Sequence, residues 1–349
     1  MNERYYYSIM TPDERRAYKM IFNGLKMRAF NIVVSVYISL DQVQDVYLKV
    51  LYDNPLFYYI NQTIIKTQGQ PGHWILLPEY LLTKTEINKI NINIRKVINS
   101  VKARADAFRN NKFRLEKCLH DSVVKSVAYD YDSIKKKDSF HAYSIVGAFL
   151  DRRAVCEGIA KAFKLLCNEF GMKCIVVLGK ADKKGVFTED SYHAWNLVKV
   201  DNESYYVDVT WDNLYDKDFH HISYDYFNLT TKEILLDHQP TGDLPICDAT
   251  RLNYFYSTRS FISAYEDLIE LINQRFAAKE ITFKARKDKG QFLCPDELRE
   301  KTLAAMMHVM SERGCAKQYA LLFNEMHNIG KIIFMPEDGK KTNLTKTVY

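Results

Sequence analysis

Apolar residues recur at helical spacing through much of the first third of the chain. Thr11-Pro12-Asp13-Glu14 carries a capping threonine, a proline at the first helical position and acids in the first turn. Tyr18, Ile21, Phe22 and Leu25 then mark one face of a helix. A second helical pattern runs through Val43, Val46, Tyr47, Val50 and Leu51, and Asp53-Asn54-Pro55 halts it. The short apolar runs Phe57-Tyr58-Tyr59-Ile60 and Trp74-Ile75-Leu76-Leu77 predict strands on either side of a turn at Gln68-Gly69-Gln70-Pro71-Gly72. Residues 84–112 predict a charged helix with Ile87, Ile90, Ile94, Val97 and Ile98 on one side. Nothing in 1–112 carries chemistry, so this is expected to be an accessory region that packs, docks or gates.

The middle of the chain alternates helix and strand signals. Leu115 to Val127 predicts an amphipathic helix that Tyr129-Asp130-Tyr131-Asp132-Ser133 ends. A basic polar loop, Lys135 to Asp138, leads into the apolar stretch Phe140 to Leu150. Ile159, Phe163, Leu166, Cys167 and Phe170 then line one face of a buried helix, and Gly171 supplies its C′ cap. Cys156 falls at the start of that helix, where unpaired N–H groups and the helix dipole favour an anion. Gly158, just after it, permits close backbone approach. Cys174 to Gly179 predicts a strand, and Lys180 to Ser191 a polar loop at a rim.

His193–Val200 and Ser204–Trp211 predict a hairpin across Asp201-Asn202. With a two-residue turn Val200 faces Glu203, and counting outward Asp208 faces Trp195. His193 and Asp208 then become diagonal neighbours roughly 7–8 Å apart on one face. A one-residue slip would separate them. Residues 257–349 predict a helix through Phe261, Tyr265, Leu268, Ile269 and Ile272, a second after Cys294-Pro295-Asp296-Glu297, and a strand at Lys331–Met335. No catalytic pattern stands out there.

Composition narrows the classes. At 349 residues, two or three domains are expected, and 47 % apolar with 13 % aromatic residues describes an ordered globular chain. The expected division is 1–112, 113–256 and 257–349, the outer two as mixed α/β accessory regions. The formal charge of +6 is uneven. The middle segment is the acidic one, which argues against nucleic acid as substrate. Seven cysteines (118, 156, 167, 174, 247, 294, 315) without a compact spacing argue against a disulfide framework. The N-terminus lacks a signal-peptide pattern, and no apolar run reaches the ~20 residues of a membrane span. A cytoplasmic protein that touches no membrane is therefore expected, and its oligomeric state stays open.

A cysteine at a helix start, a histidine at a strand start and an aspartate beside it are the parts of a thiol nucleophile, its base and the group that orients the base. The blocks that carry them are Val-Cys-Glu-Gly-Ile-Ala-Lys-Ala-Phe, Tyr-His-Ala-Trp-Asn and Tyr-Tyr-Val-Asp-Val-Thr-Trp-Asp-Asn. In this order they resemble the three core motifs of the transglutaminase-like superfamily, bacterial branch. The resemblance covers about residues 115–256, and His141-Ala142-Tyr143 and Tyr226-Phe227-Asn228-Leu229-Thr230 look like its flanks. It implies an α+β, papain-like core, in which a helix bearing the cysteine packs on an antiparallel sheet bearing histidine and aspartate, with mainly helical regions on either side. It also implies Cys156 as nucleophile, His193 as base and Asp208 as the orienting acid. The family spans crosslinking transglutaminases, peptide N-glycanases and proteases, so it fixes chemistry better than substrate.

Trp195 and Trp211 are expected to shield the trio, and Tyr143 is a candidate oxyanion donor. His220, His221 and His238 with Asp216 and Asp218 match no zinc spacing, and no acid cluster suggests calcium. No glycine-rich phosphate loop occurs, so neither metal nor cofactor is expected. The reading is a cysteine-dependent acyl-transfer enzyme acting on protein or peptide amides, a protease or amidase before a crosslinking transglutaminase. A non-catalytic interaction scaffold on the same fold is the rival of a different class, and a metal hydrolase using the histidine cluster is the third.

Overall fold

The first helix that the sequence predicts starts where its cap is written. In this computed structural model, which describes residues 4–68, 72–136, 140–214, 222–242, 244–286 and 294–335, α1 (Pro12–Met27) is closed by a reciprocal capping box between Thr11 and Glu14. It buries Ala17, Tyr18, Ile21 and Leu25, each large apolar side chain contributing about 1.5–3 kcal/mol. Strand β1 (Ile32–Ser35) and helix α2 (Leu40–Asp53), capped by Ser39, come next. Strands β2 (Ile65–Gln68) and β3 (His73–Leu77) complete an antiparallel sheet of order β1-β3-β2. Residues 57–60 are not the expected strand. Pro55 fixes a 3-10 turn through Phe57, and only Ile60 bridges to Tyr80. The expected turn before Gly72 falls partly on 69–71, outside the described residues.

Two compact units emerge, 1–179 with 193–222 and 180–192 with 223–349. Buried residues between Tyr6 and Leu76 share a core with the helix and strands of 156–194. Tyr18, Val46 and Leu76 belong to the same buried cluster as Cys156, Ala160, Val176 and Ala194. The Tyr6 hydroxyl also donates to the carbonyl of Val176 at 2.5 Å.

Helix α3 (Lys84–Ala105) opens on a Thr83–Glu86 capping box and is succeeded by α4 (Lys112–Val124). Strand β4 (Ala128–Tyr129) pairs in parallel with β5 (Arg153–Ala154), directly ahead of α5 (Cys156–Glu169). Helix α5 is buried along most of its length and ends at Gly171, whose φ of 76° lies in the left-handed region. A Cβ on Gly158 would collide with the Ala142 carbonyl oxygen and lie 3.0 Å from that of Ser144. Glycine therefore lets the 142–144 backbone lie against the first turn.

Strands β6 (Lys173–Ala181), β7 (Tyr192–Val200) and β8 (Glu203–Val207) neighbour one another in the order β8-β7-β6. Asp201 and Asn202 both take positive φ, 50° and 75°, the pattern of a two-residue hairpin turn. The pairing is antiparallel and in the expected register, Val200 with Glu203 through Asn196 with Val207. The second strand is shorter than expected. It stops at Val207, and Val209–Leu214 forms a short helix, α6. The Asp208 side chain explains the switch, because its Oδ1 accepts from the backbone N–H of Thr210 at 2.9 Å and Trp211 at 3.1 Å. Those are the bonds of an N-cap.

The second unit contains β9 (Phe261–Ile262), α7 (Tyr265–Arg275), β10 (Glu280–Ala285), α8 (Pro295–Glu312), β11 (Tyr319–Asn324) and β12 (Ile329–Phe334). Its sheet has the order β9-β10-β12-β11. Phe261, expected on a helix, is in a strand, and Ser263 and Ala264 N–H groups donate to Asp267, which starts α7 only at Tyr265. Lys331 is buried on β12 and satisfied by Asp225 at 2.9 Å and Ser223 at 2.8 Å. Among the described residues no helix is long and apolar enough to cross a membrane.

Candidate active site

Three local decisions bring the chemistry together within the first unit. Extended Val155 offers no side-chain cap to α5, so the first-turn N–H groups beside Cys156 are not spent on one. The β4–β5 pairing, Tyr129 opposite Ala154, places a phenol next to that helix start. The hairpin register brings His193 to Asp208, and His193 Nε2 lies 2.7 Å from Asp208 Oδ2. Cys156, His193 and Asp208 are all buried.

Asp208 is held by both oxygens. Oδ1 caps α6 and Oδ2 meets the imidazole. Burial alone would lower the His193 pKa. The charge and hydrogen bond of Asp208, and after them a hydrogen bond with Cys156 and its charge, raise it instead to about 10. The imidazolium form is thus favoured with Cys156 and Asp208 as its partners.

The flanking residues divide by role. The Trp195 ring stacks on His193 at 5.9 Å between centroids, and Trp211 approaches it tilted at 5.6 Å. Both indoles are buried, so the imidazole has two aromatic rings beside it that limit its contact with water. Tyr143 is half-buried. Burial raises its pKa first, then the charges of Cys156, Glu157 and Asp130, which places its phenol within electrostatic reach of the thiol. The Tyr143 carbonyl accepts from Lys161 Nζ at 3.2 Å.

Three contributors are not predicted by the sequence motifs. Tyr129, expected only at a helix end, hydrogen-bonds Cys156. Its pKa is raised by burial and then by the charge and hydrogen bond of that cysteine. Asn196 Nδ2 donates to the carbonyls of Ala160 on α5 and Ile175 on β6, each at 3.0 Å, tying helix and strands together. His120 on α4 lies 3.0 Å from Asp212 on α6 and 3.3 Å from Asp121. Burial opposes its charge, but those carboxylates raise it to about 9. Only Asn196 has a signal in the sequence, its place inside the Tyr-His-Ala-Trp-Asn block.

Of the acid and histidine group weighed as a metal site, Asp216, Asp218, His220 and His221 lie outside the described residues. His238, in the second unit, has Nδ1 2.7 Å from Asp237 Oδ1, and the same carboxylate accepts from Tyr226 and is 2.9 Å from His327 Nε2.

Residues 99–210 match the family described as the transglutaminase-like superfamily. Kyphoscoliosis peptidase of Mus musculus is 28% identical over 94 residues, 26% of this chain and 14% of that protein. The Homo sapiens protein of the same name matches with the same identity and coverage. The chain thus spans about a seventh of the length of these curated relatives. A solved transglutaminase ("TGase") structure aligns with a TM-score of 0.31 at 17% identity, covering 55% of this chain and 53% of that one. Residues 99–210 of this chain form a domain of the transglutaminase-like superfamily.

Proposed function

We propose that this protein is a cysteine-dependent hydrolase of peptide or side-chain amide bonds, working through a thioester on Cys156. The observation that carries the proposal is the His193 imidazole, whose Nε2 lies 2.7 Å from Asp208 Oδ2 and whose charged form is favoured by Asp208 first and by Cys156 after it. An ionised Asp208 accepts from Nε2–H, which leaves Nδ1 as the nitrogen that exchanges protons with the thiol.

The chemistry derives from that tautomer. Nδ1 holds the proton of Cys156, and the thiolate sulfur attacks the amide carbonyl, whose π electrons move to oxygen. The Tyr129 hydroxyl and the first-turn N–H groups of α5 can donate to charge on sulfur or oxygen. Collapse breaks the C–N bond, and the departing amine takes the proton from Nδ1. Water then gives its proton to Nδ1 as its oxygen adds to the thioester, and expulsion of the sulfur releases a carboxylic acid. Asp208 keeps the ring oriented and stabilises each imidazolium. Water needs no binding site of its own, and the peptidase names of the relatives point the same way.

The test couples labelling to turnover. Iodoacetamide should alkylate Cys156, identified by mass spectrometry, and Cys156→Ala should abolish that adduct with little change in melting temperature. Amide substrates should release amine and free acid even with a primary amine present. Incorporation of the amine would make the enzyme a crosslinking transferase, and undiminished labelling of Cys156→Ala would move the nucleophile elsewhere. A normally labelled protein that turns over no amide would favour a scaffold.

A further inference from the structure

The sequence before the family domain forms one wall of a cavity of about 450 Å³. Leu51, Phe57, Tyr58 and Leu81 line it together with Tyr143 and Lys161. The first four lie outside the matched span 99–210. We propose that this cavity is the substrate's side-chain subsite, taking a large, uncharged, apolar side chain close to the carbonyl that Cys156 attacks. The proposal rests on the acyl-transfer reading above and adds a specificity to it.

Ser144, which lines the cavity beside Tyr143, has its carbonyl oxygen 3.0 Å from where a Cβ on Gly158 would sit, two residues beyond Cys156 on α5. Tyr143 lines the cavity and also lies within electrostatic reach of the thiol. A bound chain could therefore place one side chain in the cavity while its carbonyl sits at the sulfur.

The Lys161 ammonium lies 2.5 Å from Glu157 Oε1 and 3.2 Å from the Tyr143 carbonyl oxygen, with the Tyr52 ring 5.2 Å away. Glu157 also accepts from the Gln62 amide. The cation on the wall is thus neutralised by its own neighbours. What remains is hydrocarbon, aromatic rings and amides, which favours an apolar guest and leaves a carboxylate or ammonium without a counter-charge.

Peptidyl chloromethyl ketones test this without requiring turnover, because Cys156 sulfur displaces chloride and the peptide side chains can be varied. Rates are divided by the iodoacetamide rate of the same protein. Phe or Leu probes should label Cys156 about tenfold faster than Gly or Asp probes. Leu81→Trp, which fills the cavity, should reduce that normalised ratio to within twofold. Phe57→Ala, which enlarges it, should shift preference towards Trp probes and covers the case in which the first variant fails to fold. Equal rates for all probes in a protein that iodoacetamide labels normally would overturn the subsite alone. Absence of iodoacetamide labelling at Cys156 would remove the subsite and the acyl-transfer reading together.

Discussion

Replacing Asp208 with asparagine removes one charge and almost no shape. Asparagine caps helices as well as aspartate does, so the bonds from Thr210 and Trp211 to Oδ1 should survive. What disappears is the carboxylate 2.7 Å from His193 Nε2. In the native site the His193 pKa rises from 6.5 to about 10 despite burial, with Asp208 the largest raising influence. At 1.36 kcal/mol per pKa unit, that preference for imidazolium is roughly 5 kcal/mol. Without Asp208, only Cys156 is left to oppose burial, and the ring should be much less charged at pH 7. Loss of most of that stabilisation should slow iodoacetamide labelling of Cys156 at neutral pH by roughly 10²–10⁴-fold. The linkage has a definite sign. A histidine raised in the folded state contributes stability that is fully present below its unfolded pKa of 6.5 and lost as pH rises through about 10. The difference in melting temperature between wild type and Asp208→Asn should thus be largest near pH 6 and fade towards pH 10. An imidazole resonance of His193 that titrates at the same pH in both proteins, or labelling rates that superimpose, would refute the reasoning.

Three further changes probe the surroundings. Tyr129→Phe deletes a hydroxyl bonded to Cys156; amide turnover should fall about 10–100-fold, the worth of a hydrogen bond to a charged group, while thermal unfolding moves little. Gly158→Ala drives a methyl into the Ala142 carbonyl, and urea unfolding should show a loss of about 1–3 kcal/mol. His120→Ala leaves Asp212 buried without its imidazole, which should cost about 3–5 kcal/mol near pH 6. Because the His120 pKa is raised to about 9, the wild-type advantage should be complete below 6.5 and shrink as pH passes 9.

Much of the site is legible in the sequence because its parts are encoded locally. A helix start is written at Cys156 by the apolar period running on from it, and Asp201-Asn202 both turns the hairpin and sets its register. Side-chain alternation then decides which residues meet. Tyr129, His120 and the cavity wall from Leu51 to Leu81 are not legible, since each is far in sequence from what it touches and no periodicity links them. The strand expected at 57–60 fails for a related reason. Aromatic content argues for a strand, but Pro55 and the packing of Phe57 against Phe22, 5.5 Å between ring centroids, hold a turn there. The buried lysine of β12 lacks a polar pattern around it, because Asp225 and Ser223 reach it from more than a hundred residues away.

The one local misreading inside the site is also the most informative. Period-two alternation carries the second hairpin strand to Trp211, yet the strand ends at Val207. Alternation sees only which side a residue faces, whereas Asp208 carries a carboxylate able to satisfy two free N–H groups at once. Had the strand continued, those amides would have bonded across the sheet and both carboxylate oxygens would have been left to rotate. Because Oδ1 is committed to the cap, Oδ2 has little freedom and points at His193. The residue that breaks the sheet is thus the one that fixes the imidazole, and α6, anchored by Asp212 on His120, keeps that break in place.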